Sequence, residues 1–278
     1  MIVQPIVAAL ELFRPLSLPE FAQRFAPVGL FALLWFVLTL QVYVRGPIAL
    51  YRMNPGVYNP SFHLVTAGEA IDAEVQGAVL QAEQALVAIG FAYPQRVTTR
   101  DDSPLSAVET LLEHPANGDL ANVDAMIDNH PLATQRFIAW VAYRTDFADG
   151  SVLYTGNLEH LSHLPVQPGH HTVTLPKVRD PVEVYRIHRA RVARMSPTVA
   201  QVPQSRGSTP EQRLEFATTQ WLDSTQFQIS CGYRKRSTNG VRLTARGATL
   251  SAWRRLFPWK QITAWQARRA AAEVLRLG

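Results

Sequence analysis

Residues 136–155 read RFIAWVAYRTDFADGSVLYT, and this stretch decides the fold class. Residues 136–147 are rich in aromatic and β-branched side chains, which favour extended strands. Asp149 and Gly150 form a dipeptide that is typical of tight hairpin turns, and residues 151–155 then resume the strand pattern. The stretch therefore predicts an antiparallel β-hairpin.

More strands are predicted on both sides of this hairpin. Asn-Gly dipeptides lie between strand-like runs at two places, with residues 108–113 and 120–127 around Asn117 and residues 227–235 and 241–245 around Asn239. Residues 91–99 supply a first strand. The sequence thus predicts an antiparallel meander of four or five strands.

A helix is predicted to cover one face of this meander. Thr66 and Glu69 form a capping box, and apolar residues then recur at helical spacing from Ile71 to Ile89. Other helices are predicted at Pro181–Met195, from Pro210 to about Asp223, at Gly247–Phe257 and at Pro258–Leu277. The predicted fold class is α+β, with an N-terminal transmembrane helix and a basic helical C-terminus.

The transmembrane prediction rests on residues 26–44, APVGLFALLWFVLTLQVYV, which carry no charge. About 20 apolar residues cross the hydrocarbon core of a bilayer as a helix. Arg24 and Arg45 flank the run. The predicted spanning residues are Ala26, Leu30, Leu34, Trp35, Leu38 and Val44. A buried core helix and a cleaved signal peptide are the alternatives.

Charge is segregated along the 278 residues, of which 47% are hydrophobic and 18% are charged. Residues 1–59 carry a net charge of +2, residues 60–230 of −7 and residues 231–278 of +10. A basic segment beside an acidic body is typical of proteins that contact a membrane surface or nucleic acid. The single cysteine excludes a disulfide framework and a four-cysteine zinc site.

These patterns divide the chain into five parts. They are an N-terminal interfacial segment (1–25), the transmembrane helix (26–44), a linker (45–65), an α+β domain (66–230) and a hairpin with basic amphipathic helices (231–278). Equal numbers of arginines flank the span, so the positive-inside rule does not orient it. Because the basic segment suits the anionic cytoplasmic leaflet, we predict an inner-membrane, single-pass protein with its main domain in the cytoplasm.

Histidines at four positions are the candidate metal ligands: His160, His163, His170 and His171. Imidazole is a common zinc ligand, and a metal-dependent hydrolase is therefore one hypothesis. The spacing is not HExxH, and Pro165 and Pro168 place the cluster in a loop, so a polar surface loop is the alternative.

Other catalytic signals are weak. Cys231 has no adjacent group that would activate its thiol, and we predict a buried structural residue. Asp146 and Asp149 are explained by the turn between their strands. The sequence contains no glycine-rich phosphate loop and no GxSxG motif, and it predicts no cofactor.

The basic C-terminus interleaves aromatic and cationic side chains. The predicted membrane-surface or partner contacts are Trp253, Arg254, Arg255, Trp259, Lys260, Trp265, Arg268 and Arg269. Tryptophan flanked by lysine and arginine is typical of interfacial helices. An amphipathic helix that packs on the domain and exposes a basic face is the alternative.

Two resemblances add to this interpretation. Residues 231–256, with Gly232-Tyr233, Asn239-Gly240, Arg242-Leu243-Thr244 and Gly247, resemble the wing of a winged-helix domain, which implies contact with the DNA backbone. The motifs FxDGxxLxTxN (Phe147, Asp149, Gly150, Leu153, Thr155, Asn157) and YxxHR (Tyr185, His188, Arg189) are similar to those of uncharacterised bacterial single-pass membrane-anchored proteins, which implies an anchor but no activity.

The sequence therefore favours a non-enzymatic accessory or scaffolding subunit, anchored in the bilayer, that docks on a larger integral-membrane complex. The alternative is a membrane-tethered nucleic-acid-binding regulator that uses the wing-like hairpin. A metal-dependent hydrolase that uses the histidine loop is the third hypothesis.

Overall fold

The computed structural model describes residues 18–53, 62–99, 106–127, 137–158, 164–202, 209–237, 240–254, 256 and 258–276. Within residues 18–53, side chains are described at positions 29, 34, 35, 37 and 39–52. The chain divides into two compact units, residues 1–46 and 47–278.

The described residues form six helices and ten strands. The helices are α1 (Leu18–Met53), α2 (Ala73–Ala88), α3 (Pro181–Met195), α4 (Pro210–Ser230), α5 (Ala245–Arg254) and α6 (Trp259–Leu275). The strands are β1 (His63–Leu64), β2 (Ala92–Thr98), β3 (Ala107–Glu113), β4 (Leu120–Ile127), β5 (Phe137–Phe147), β6 (Val152–Gly156), β7 (His170–Thr174), β8 (Gln201–Val202), β9 (Arg234–Ser237) and β10 (Gly240–Leu243).

The larger sheet has the order β1-β2-β3-β4-β5-β6-β7, with β8 paired to β5. Each strand from β1 to β6 runs antiparallel to the next, but β6 and β7 are parallel. The chain is thus α+β as predicted, whereas the prediction of a purely antiparallel meander is wrong. The difference lies in β7, which pairs with β6 in the parallel direction and makes the sheet mixed.

The predicted hairpin at residues 136–155 is confirmed as β5 and β6. Gly150 has a φ of 80°, which glycine adopts without the Cβ clash of other residues. The Asp149 carboxylate accepts hydrogen bonds from the N–H and hydroxyl groups of Ser151, at 2.9 and 2.6 Å. Turn chemistry therefore accounts for Asp149, as the sequence indicated, whereas the same prediction for Asp146 is wrong because Asp146 lies within β5 and pairs with Arg144.

One face of the sheet carries the hydrophobic core. Alternating residues of β3, β4 and β5 point towards α2 and α3, and the C-terminal end of α6 reaches the same core through Val274. The largest fully buried side chains include Tyr143 of β5, Phe91 and Ile187 of α3. Helices α2, α3 and α6 therefore share the face that β5 presents through its odd-numbered residues.

The start of α2 differs from the sequence prediction. Glu69 accepts a hydrogen bond from the N–H group of Thr66 at 2.6 Å, but residues 67–68 only form a turn. The helix begins at Ala73, and Asp72 caps it by accepting from the N–H group of Glu74 at 2.9 Å. The predicted capping box thus closes a turn rather than a helix.

A buried ion pair joins α2 to the sheet. Glu83 accepts two hydrogen bonds from Arg96, at 2.9 and 2.7 Å, and one from the hydroxyl group of Thr110 at 2.8 Å. Glu83 is only 7% exposed. Three hydrogen bonds from these two partners satisfy the carboxylate, so its charge is tolerated between the helix and the sheet.

The transmembrane prediction is wrong. The apolar run is not a separate element but the middle of α1, a 36-residue helix whose sequence also includes Glu20, Arg24, Arg45 and Arg52. Within the described ranges, no helix combines the length and the apolar character that a bilayer crossing requires. This finding overturns the predicted span (Ala26, Leu30, Leu34, Trp35, Leu38 and Val44) and the single-pass inner-membrane localisation. Residues 1–17 of the predicted interfacial segment and 54–61 of the predicted linker lie outside the described ranges.

We expect Glu83→Ala to lower the free energy of unfolding by about 2–3 kcal/mol, because it removes the partner of a partly buried guanidinium and of a buried hydroxyl. Glu183→Ala is the matched control. Glu183 also receives two hydrogen bonds from one arginine, Arg186, at 2.8 Å each, but this pair lies on the surface of α3. The control should leave stability nearly unchanged. Urea denaturation of both variants tests the expectation, and equal losses would contradict it.

Candidate functional site

The base of the wing-like hairpin, formed by β9 and β10, is fixed by hydrogen bonds at the junction between β10 and α5. Thr244 donates its N–H to the carbonyl oxygen of Tyr233 at 3.0 Å, and its hydroxyl oxygen accepts from the N–H group of Gly247 at 3.1 Å. A Cβ atom on Gly247 would collide with the Tyr233 carbonyl oxygen. The Leu-Thr-x-x-Gly sequence therefore closes the base of the hairpin, and glycine is required where the two backbones meet.

A second set of contacts fixes the other side of the same base. The Arg246 guanidinium lies 4.8 Å from the centre of the Tyr233 ring and donates to the Cys231 carbonyl oxygen at 3.2 Å. Cys231 is the C-terminal cap of α4, because this helix continues to Ser230. The prediction of a mid-strand position for Cys231 is wrong. Its thiol is free and partly exposed.

The hairpin places like charges directly opposite one another. Lys235 of β9 and Arg242 of β10 are cross-strand partners, and cross-strand like charges repel. The Nε atoms of Arg234 and Arg242 are buried and have no hydrogen-bond partner. Burial also lowers the pKa of Arg234. Lys235 and Arg242 therefore form a cationic pair on one face of the hairpin, and an anion bound beside them would relieve their repulsion.

The predicted contact residues fall on the two helices that follow. Trp253 and Arg254 lie in α5, and the remaining described members lie in α6: Trp259, Lys260, Trp265, Arg268 and Arg269. Arg255 lies outside the described residues. The three tryptophans are 42%, 48% and 58% exposed in chain order. The structure thus presents these residues at the surface beyond the hairpin.

The histidine cluster is only partly described. His160 and His163 fall outside the described ranges, and His170 and His171 begin β7 rather than lying in a loop. Neighbouring strand residues point to opposite faces, so these two imidazoles diverge. Among the described residues, no three histidine, cysteine or acidic side chains converge as metal ligands would. The four-histidine metal site stays a prediction.

His170 instead joins a polar cluster on the sheet face opposite α2 and α3. Arg144 donates to both carboxylate oxygens of Asp146 and to the Tyr154 hydroxyl group at 2.8 Å. The ring of His170 lies 5.8 Å from that of Tyr154. Burial, followed by the charge of Arg144, lowers the pKa of His170. The arginine is already saturated by its neighbours, so this cluster does not offer an anion site.

His188 of α3 is fully buried between two threonines. Its Nε2 atom lies 2.9 Å from the Thr145 hydroxyl oxygen, and its Nδ1 atom lies 2.9 Å from that of Thr155. Thr145 donates its proton to Asp119 at 2.5 Å, so its oxygen accepts from Nε2–H. Thr155 accepts from Arg191 at 2.6 Å and donates to Nδ1. This pattern assigns a neutral imidazole protonated on Nε2.

A chain of hydrogen bonds, called the relay below, runs from Arg191 through Thr155, His188 and Thr145 to Asp119. Both carboxylate oxygens of Asp119 have hydrogen-bond partners. Asp119 accepts from Thr145 and Gln201 on Oδ1, and from Tyr185 and Arg189 on Oδ2. Burial, followed by the charge of Asp119, raises the pKa of Tyr185. The relay contains an acid, an imidazole and hydroxyl groups, as many catalytic sites do. Both ring nitrogens of His188 are occupied and the ring is enclosed, so the arrangement stabilises the fold rather than a substrate.

Sequence reasoning found part of this network and missed the hairpin cations. Thr155 belongs to the FxDGxxLxTxN motif, and Tyr185, His188 and Arg189 form the YxxHR motif. The predicted contacts began at Trp253 and omitted Lys235 and Arg242. The sequence does show many cations on both sides of the Asn-Gly dipeptide. Which of these cations face each other, however, is known only from the register of the two strands.

The buried imidazole makes stability depend on pH. Burial, followed by the charges of Arg191 and Arg189, holds the pKa of His188 well below its usual 6.5. Below that pH the unfolded chain takes up a proton that the folded chain does not. The free energy of unfolding should therefore fall as the pH drops below about 6.5, by up to about 1.4 kcal/mol per pH unit from this group.

His188→Gln should remove that part of the pH dependence, because an amide can donate to Thr145 and accept from Thr155 without titrating. Denaturation of both proteins across this pH range gives the two slopes. The other titrating groups are shared, so parallel slopes would contradict the assignment of a neutral histidine.

Comparison with protein-family models, curated proteins and solved structures finds no match for this chain.

Proposed function

We propose that this protein binds nucleic acid through the hairpin of β9 and β10, without catalysing a reaction. The observation that carries the proposal is the cross-strand pairing of Lys235 with Arg242, which places two cations side by side on one face of the hairpin. A chain of phosphates supplies closely spaced anionic acceptors that suit such donors. Binding would thus convert a repulsive feature of the free protein into an attractive one.

The distribution of charge along the chain also supports binding of a polyanion at the hairpin. Residues 231–278 carry a net charge of +10, with Glu273 as their one acidic residue, whereas residues 60–230 carry −7. A polyanion is attracted by the first segment and repelled by the second. The acidic sheet domain therefore orients the ligand as well as supporting the hairpin.

The rigidity of the hairpin base also fits this role. Thr244 bonds to the Tyr233 carbonyl oxygen, Gly247 admits the close approach of that backbone, and Arg246 lies over the Tyr233 ring. The base from which both strands extend is therefore fixed. Preorganised donors lose less conformational entropy when they bind. Phosphate contacts of this kind carry no sequence information, and the proposed binding is sequence-independent.

We expect the full-length protein to bind a fluorescein-labelled oligonucleotide with an affinity that falls steeply as salt rises from about 50 to about 200 mM. Lys235→Gln should reduce the slope of log K against log salt by about 0.9, the value for one phosphate contact. The double variant Lys235→Glu, Arg242→Glu should bind at least about tenfold more weakly. Fluorescence anisotropy measures all three.

Arg194→Glu is the matched control, because Arg194 is an exposed cation in the last turn of α3, on the sheet domain. It changes the net charge by the same amount per residue at a site away from the hairpin. An equal loss of affinity in the control, or no binding by the wild type at low salt, would rule out the hairpin as the contact.

A second candidate function, an accessory subunit of a larger protein assembly, is favoured by a different observation. Large apolar side chains of α1 are exposed, with Leu40 51% and Val44 52% accessible. Contiguous exposed apolar surface marks interaction sites in many proteins. In this proposal α1 packs against an apolar surface of a partner protein.

We expect a stoichiometric partner to co-purify with the wild type and to be lost from the double variant Leu40→Ser, Val44→Ser. Val87→Ser is the control, because Val87 of α2 is also 50% exposed but lies in the other compact unit. Affinity purification with quantification of both chains measures the ratio. A protein that purifies alone at every step would exclude this second function.

A further inference from the structure

The outward face of α6 exposes large apolar side chains among cations. Trp259, Ile262 and Trp265 are 48%, 38% and 58% exposed. The C-terminal end of the helix is anchored, because Ala271 and Val274 pack into the hydrophobic core of the sheet domain. The tryptophans are therefore held at the surface by a helix whose position is fixed.

Trp265 has a cation beside its ring. The guanidinium carbon of Arg269, one helical turn further on, lies 5.7 Å from the centre of the indole ring. Lys260 and Arg268 are exposed on the same helix, and Glu273 is its one acidic residue. An indole face next to a guanidinium can hold a base and its phosphate at the same time.

We infer that α6 is a base-stacking platform and that the nucleic acid bound by this protein is single-stranded. This inference rests on the proposed nucleic-acid-binding function and specifies its ligand. In a duplex the base faces are buried in the stack, whereas unpaired bases expose them to aromatic side chains. A duplex would offer the hairpin its phosphates but leave the tryptophans without a partner.

The two tryptophans of α6 offer stacking surfaces at two points along the helix. Trp259 and Trp265 are six residues apart in the sequence, which is about 9 Å along the helix axis and about 120° around it, so a bound strand must curve around the helix to reach both. A single strand is flexible enough to reach both rings and continue to the hairpin cations. Tryptophan and arginine also dominate protein interfaces, but the charge of +10 over residues 231–278 favours a polyanion.

The test compares an oligothymidylate of about 20 nucleotides with a duplex of similar length, both titrated into the full-length protein at low salt. We expect the single strand to bind at least about tenfold more tightly and to quench tryptophan fluorescence. Trp265→Ala should weaken single-strand binding about tenfold and leave duplex binding unchanged. Trp265→Phe should restore most of the affinity, because it keeps an aromatic face.

Val87→Ala is the control for loss of an exposed apolar side chain, and it should bind both ligands like the wild type. Equal affinity for the single strand and the duplex, or equal effects of Trp265→Ala on both, would overturn the inference while leaving the hairpin function intact. Failure to bind either ligand would remove the proposed function as well. Loss of a co-purifying protein from Trp265→Ala, with unchanged oligonucleotide binding, would assign the face to a protein partner and overturn the inference.

Discussion

The sheet domain depends on a hydrogen-bond relay that runs from Arg191 through Thr155, His188 and Thr145 to Asp119. Every hydrogen bond in the relay is donated in the same direction, from the cationic end at Arg191 towards the anionic end at Asp119. The groups therefore polarise one another. The relay ties α3 to β5, β6 and the residue before β4. The relay stabilises the fold because it is buried. Removal of one member would leave the polar groups of its neighbours without hydrogen-bond partners inside the core.

Because this relay is closed, the proposed binding surface lies elsewhere in the chain. A catalytic histidine needs a ring nitrogen that a substrate can reach, and His188 has neither nitrogen free. Arg191, whose pKa burial lowers to about 10, is likewise held by protein oxygens. In the proposed function the sheet domain supports the hairpin and α6, which carry the residues proposed to bind the ligand.

Some elements could be predicted from the sequence because their signals are local. The β5–β6 hairpin combines strand-forming residues with an Asp-Gly turn, and both act over a few residues. Strand β7 was missed because it follows a proline-containing loop and pairs in parallel with β6, which no local pattern specifies. The apolar run in α1 was judged by length and composition alone, whereas the helix extends well beyond it in both directions. The motifs contained Thr155 and His188, but the contacts of the relay could not be predicted, since partners such as Thr145 and His188 are 43 residues apart.

The hairpin is the clearest example of a feature that the sequence alone does not predict. Its positive charge is visible in the composition, but the effect of that charge depends on register. A shift of one residue would place Arg242 opposite a different partner and remove the Lys235–Arg242 pair. The register is set by contacts at the base of the hairpin, where Thr244 bonds to Tyr233 and Gly247 admits the close approach of two backbones. The glycine at position 247 thus contributes to which cations face each other, and in the proposed function to what the hairpin binds.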